Sequence, residues 1–142
     1  MRPAPVPPER ARVPGVAEQS PFQYAIVRVV PRVERGECFN AGVILFCRPR
    51  RFLAAKVHLD VTRLAALAPS VDPETVREHL DAIALIAAGH VSGGPVAALP
   101  RHQRFHWLVA ASSTMIQPSD VHTGICDDPA AELVHLFTTM VE

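Results

Sequence analysis

Apolar residues fill both alternating sets of positions in two early segments. From Phe22 to Val30, Phe22, Tyr24 and Ile26 stand on one face and Ala25, Val27 and Val29 on the other. From Asn40 to Cys47, Val43, Leu45 and Cys47 oppose Ile44 and Phe46. A strand apolar on both faces belongs in the middle of a covered sheet. Pro31 stops the first strand, and Gly42 inside the second signals a bulge or a close backbone approach. Phe52 to Leu59 alternates more cleanly, with Leu53, Ala55, Val57 and Leu59 against Lys56 and His58, so one of its faces meets water. The polar link 31–39 and the turn Arg48-Pro49-Arg50-Arg51 join the three into an antiparallel meander.

Helical punctuation follows. Asp60 caps a short helix through Ala68. Asp72-Pro73 is a stronger start, with Asp as N-cap, Pro in the first turn and Glu74 near the positive end of the helix dipole. Val76, Leu80, Ile83 and Ala87 recur at helical spacing, and Gly89 is a natural C-cap. Gly93-Gly94-Pro95 marks a loop. Phe105 to Ala110 reads as a fourth strand and Thr114 to Gln117 as a fifth, ended by Pro118. Asp128-Pro129 opens a final helix whose stripe of Leu133, Phe137, Met140 and Val141 packs on the sheet. The fold class is therefore α+β, an antiparallel sheet of four or five strands against two or three helices.

Composition sets the boundaries. The 142 residues suit one domain. Residues 1–21 carry Pro3, Pro5, Pro7, Pro8, Pro14 and Pro21, which remove backbone donors and fix φ, so a disordered extension is expected before a domain at 22–142. A hydrophobic fraction of 49% supports a packed core. Fourteen basic residues balance fourteen acidic ones, which argues against nucleic acid as a partner. No apolar run approaches the ~20 residues that cross a bilayer, so no membrane association is expected. The N-terminus also lacks the apolar core of a secretory signal. Three cysteines are too few for a disulfide framework and fit a reducing cytoplasm. Lys56 is the sole lysine, a bias that reads as bacterial. Two doubly apolar strands need cover on both faces, which leaves room for a homodimer formed through a sheet face.

The densest polar chemistry lies at 112–124, where Ser112, Ser113, Thr114, Gln117, Ser119, Asp120, His122 and Thr123 fall between regular elements. Hydroxyls and amides there suit an anion, and His122 suits proton transfer; the same residues also make turns and caps. A second group is Arg28, Glu37 and Asn40. A hairpin brings these strand ends together, so that Glu37 neutralises Arg28 in a structural ion pair or in a site. His122 and Cys126, like His102 and His106, are four apart but lack a zinc-binding context, so neither metal nor cofactor is expected. Arg48, Arg50 and Arg51 read as a solvated turn. No nucleophile elbow surrounds Ser112 or Ser113.

Together, Tyr24-Ala25-Ile26-Val27-Arg28-Val29-Val30-Pro31 and Arg35-Gly36-Glu37-Cys38-Phe39-Asn40-Ala41-Gly42-Val43-Ile44-Leu45-Phe46 resemble the opening signature of the bacterial "domain of unknown function 3037" family. Arg104-Phe105-His106-Trp107-Leu108 and Ser119-Asp120-Val121-His122-Thr123-Gly124 resemble its second signature. The resemblance supplies no activity. It implies genomic company with HipA-like kinases, and hence an accessory or partner role. Two readings follow. One is a non-catalytic interaction module, a partner of such a kinase. The other is an enzyme or ligand-binding domain for a phosphorylated or nucleotide-like molecule. In that second reading Arg28 and Arg104 bind the anion, His122 and Glu37 serve catalysis, and Asn40, Ser113, Thr114, Gln117 and Thr123 position the ligand.

Overall fold

Strand β1 (Ser20–Val29) runs through the centre of a five-stranded antiparallel sheet in the computed structural model, which describes residues 19–110 and 114–142. Ser20 and Pro21 already belong to β1, so the strand starts two residues before its expected boundary at Phe22. Residues 1–18 of the expected extension lie outside the described residues.

Strands β2 (Phe39–Cys47) and β3 (Phe52–Val57) complete the meander on one side of β1, with Ala25 opposite Ile44 and Ile44 opposite Ala55. On the other side, β4 (Ile116–Pro118) and β5 (His122–Cys126) pair with successive stretches of β1. The doubly apolar strands are thus the two inner ones. Their cover comes from the same chain. One face packs Val27, Val29, Ile44 and Phe46 against helices α1 (Val61–Leu67), α2 (Pro73–Ala88) and α3 (Arg101–Leu108), through Leu64, Leu80, Phe105 and Leu108. The other packs Phe22, Ile26, Val43, Leu45 and Cys47 against α4 (Pro129–Met140), through Leu133, Leu136 and Phe137. Each fully buried aliphatic side chain, such as Ile44 or Leu45, contributes about 1.5–3 kcal/mol.

The caps lie where the sequence puts them. Asp60 accepts from the Thr62 and Arg63 amides, Asp72 from Glu74 and Asp128 from Ala130, and Gly89 ends α2 at φ 70°. Gly42 fulfils both of its expected roles. The β1–β2 register slips beside it, leaving Ala41 as the extra residue, and a Cβ at 42 would meet the Lys56 carbonyl oxygen at 2.8 Å.

Two expectations are corrected. Phe105–Ala110 is no strand; Arg101–Leu108 is helical. Phe105 and Leu108, one turn apart, both face the core, and Phe105 lies 5.1 Å from the Phe46 ring, while Trp107 turns outward at 52% exposure. β5, read as irregular polar chain, is a true strand. Its residues show little alternation because His122, Thr123 and Ile125 are all exposed.

Candidate functional site

β1 brings the two signature segments together, because it pairs with the start of β2 on one side and with β4 and β5 on the other. Arg28 stands at the meeting point, opposite both Asn40 and Gln117. Alternation puts Tyr24, Ile26 and Arg28 on the α4 face of β1, with His122 beside Tyr24 and Gln117 beside Arg28. One Arg28 Nη2 donates to the Pro118 carbonyl at 3.1 Å. Its Nε is buried without a partner among the described residues.

The neighbouring polar groups are largely engaged in holding the fold. The Asn40 amide donates to the Met140 carbonyl at 2.9 Å and so closes the end of α4. Gln117 donates to the Thr114 carbonyl, and the Thr114 hydroxyl to the Ile116 carbonyl. The β1 register slips by one residue between Pro118 and His122. Ser119 fills that slip: its backbone N–H donates to the Ile26 carbonyl, and its Oγ accepts the Ile26 N–H at 2.8 Å. His122 is exposed, its ring 5.3 Å from that of Tyr24. Arg28 is four positions along β1 from Tyr24, so the backbones at His122 and Arg28 are about 13 Å apart along the strand.

Glu37 does not reach Arg28. It pairs with Arg35 at 2.9 and 3.2 Å on the surface, and that guanidinium, by hydrogen bond and charge, holds its carboxyl below the usual range. A tight local pair two residues apart forms more readily than one across the hairpin. Arg104 lies on the opposite face of the sheet, in α3. Its guanidinium donates to the Leu99 carbonyl at 2.6 Å and the Ala87 carbonyl at 3.3 Å, closing the C-terminus of α2 beside Gly89. Burial, and then the neighbouring Arg101, lower its pKa. Thr114 borders an apolar groove of about 450 Å³ on that same face, with Val27, Ile83, Trp107 and Pro118. Thr123 is exposed there too, beside Pro21 and Gln23. The expected ligand residues are therefore divided, with Arg28, Asn40, Gln117 and His122 on one face and Arg104, Thr114 and Thr123 on the other. Ser113 lies outside the described residues.

Sequence reasoning missed the β5 edge. β5 pairs only with β1, so its outer side has no strand neighbour among the described residues. Ile125 on it is 65% exposed. The readable signal was the Thr123-Gly124-Ile125 run, uncharged and free of proline, immediately before a capped helix. Among the described residues, no group of three or more His, Cys, Asp or Glu side chains is placed to hold a metal, and no helix is long and apolar enough to cross a membrane.

Residues 24–141 match the family model described as "Protein of unknown function (DUF3037)". The match spans most of the chain, and the chain belongs to that family, as its two signature segments indicated. No curated protein and no solved structure matches it.

Proposed function

We propose that this member of the DUF3037 family is a non-catalytic interaction module whose partner is a HipA-like kinase. One observation carries the interaction reading. β5 ends the sheet with its outer backbone groups unpaired among the described residues and with Ile125 exposed. An exposed, uncharged sheet edge invites another strand, and natural proteins guard such edges unless they use them. The kinase is named by the family's genomic company alone. Co-expression of the full chain with the kinase encoded beside it, followed by size exclusion, tests the reading. Co-elution and altered kinase activity are expected. Two separate peaks with unchanged activity would sink it.

A second reading draws on Arg28. A guanidinium beside Asn40 and Gln117, its buried Nε without a partner among the described residues, suits an anionic group. The distance to His122 calls for an extended, nucleotide-sized ligand rather than inorganic phosphate. Thermal-shift screening of nucleotides against the chain and its Arg28→Met variant tests this. Stabilisation of the parent that the variant loses supports the reading, and identical profiles remove it.

A further inference from the structure

Among the described residues the sheet has three outward edges, and two are guarded. β3 carries Lys56, whose ammonium lies 5.0 Å from the Phe137 ring centroid. On β4, the Ile26–Ser119 and Val30–Met115 bonds show that odd-numbered residues point their backbone inward. Pro118 therefore faces outward, where its missing N–H denies a bond to any added strand. β5 carries neither lysine nor proline, and among the described residues nothing covers its outer edge. Because Ile26 and the other even-numbered residues of β1 face this side, His122, Gly124 and Cys126 bond inward. Thr123 and Ile125 then present N–H and C=O groups outward. The helices pack mainly on the other strands, and of β5 only Cys126, at its end, joins the α4-side core.

Acidic residues flank this edge, and at its Cys126 end Arg50 also lies near, donating to Ser20 Oγ at 2.9 Å. Asp120 precedes the edge, Asp127 and Asp128 follow it, and all three are exposed. Asp128 is partly committed, accepting the Ala130 amide at 3.1 Å. A second copy fits poorly in the register that pairs the two outward residues with each other. Antiparallel pairing that sets Thr123 of one copy against Ile125 of the other puts Asp120 opposite Asp128 and beside Asp127, at both ends. Like charges facing each other across strands are destabilising. A strand with cationic ends meets the opposite situation.

Resting on the interaction reading above, we propose that the outer edge of β5 docks an extended segment of a partner protein, which adds to the sheet as a strand and carries a lysine or arginine at each end. Backbone bonds to Thr123 and Ile125 supply the register, and Asp120 and Asp127 select the charge.

The probe is a fluorescently labelled peptide alternating valine and threonine between terminal lysines, compared with the same peptide ending in glutamates. Anisotropy at low salt should show saturable binding of the lysine-ended peptide, roughly tenfold tighter than the other from two exposed charge pairs. Ile125→Pro removes an outward N–H and no bond to β1, so it should abolish binding. The double variant Asp120→Lys, Asp127→Lys should invert the preference, and it decides the matter even if the proline variant fails to fold. Absent binding, or equal binding of both peptides, would overturn the proposal. So would a concentration-dependent dimer lost in Ile125→Pro, or a chain begun at Gln19 that binds the peptide tenfold more tightly because its own first residues had held the edge. Kinase co-elution that persists while the peptide test fails removes this docking mode alone; separate peaks remove the interaction reading itself.

Discussion

Gly124 lies under the ring of Phe22, so closely that a Cβ at position 124 would come within 2.7 Å of Phe22 Cζ. Phe22 is 5% exposed and packed in the α4-side core, so its ring has little room to retreat. This contact seats β5 on β1. Gly124→Ala should therefore destabilise the protein by about 1–2 kcal/mol, the overpacking cost less the entropy that alanine removes from the unfolded chain. Urea unfolding measures it. Combining it with Phe22→Leu should recover part of the loss, and strict additivity of the two changes would show that ring and glycine are independent.

Ser119 replaces a backbone acceptor at the slip between β4 and β5. Ser119→Ala leaves the buried Ile26 N–H unmatched and should cost about 1–3 kcal/mol, whereas Ser119→Thr keeps the oxygen and most of the stability. Faster hydrogen exchange at the Ile26 amide in the alanine variant is the specific readout.

Arg104 closes α2 with one guanidinium on two carbonyls. Arg104→Met should lower stability by about 1–2 kcal/mol, and Arg104→Lys should recover little of it, because a single ammonium does not span the Leu99 and Ala87 oxygens. Full rescue by lysine would mean that charge alone matters there.

The cysteines should differ in reactivity. Cys38 is exposed, while Cys47 and Cys126 are buried. Burial, and then the adjacent Cys47, push the Cys126 thiol up to about 11 from an ordinary 9.0. Iodoacetamide at pH 8 should label Cys38 readily and the other two only on unfolding. The folded state holds its Cys126 proton more tightly than the unfolded one. This stabilisation is present below pH 9 and is lost as pH rises from about 9 to 11, by about 3 kcal/mol at most. A Cys126→Ala variant should show a flatter decline over that window.

Much of the fold was legible in local pattern. Two strands apolar on both faces had to be central, and Asp72-Pro73 and Asp128-Pro129 had to begin helices, because each rule acts within a few residues. Gly42 announced its own close approach. What the sequence could not supply depended on neighbours far along the chain. α3 is eight residues with two buried positions, Phe105 and Leu108, and only their shared contact with the sheet reveals a helix rather than a strand. Glu37 was within reach of two arginines, and the tertiary geometry chose Arg35. Arg28 and Arg104, alike in sequence, ended on opposite faces. The β5 edge was the least legible of all, because His122, Thr123 and Ile125 are exposed on both faces of an outermost strand, which keeps no alternation of polar and apolar residues. Its openness is a property of where β1 places it, and that was decided only when the chain closed into a sheet.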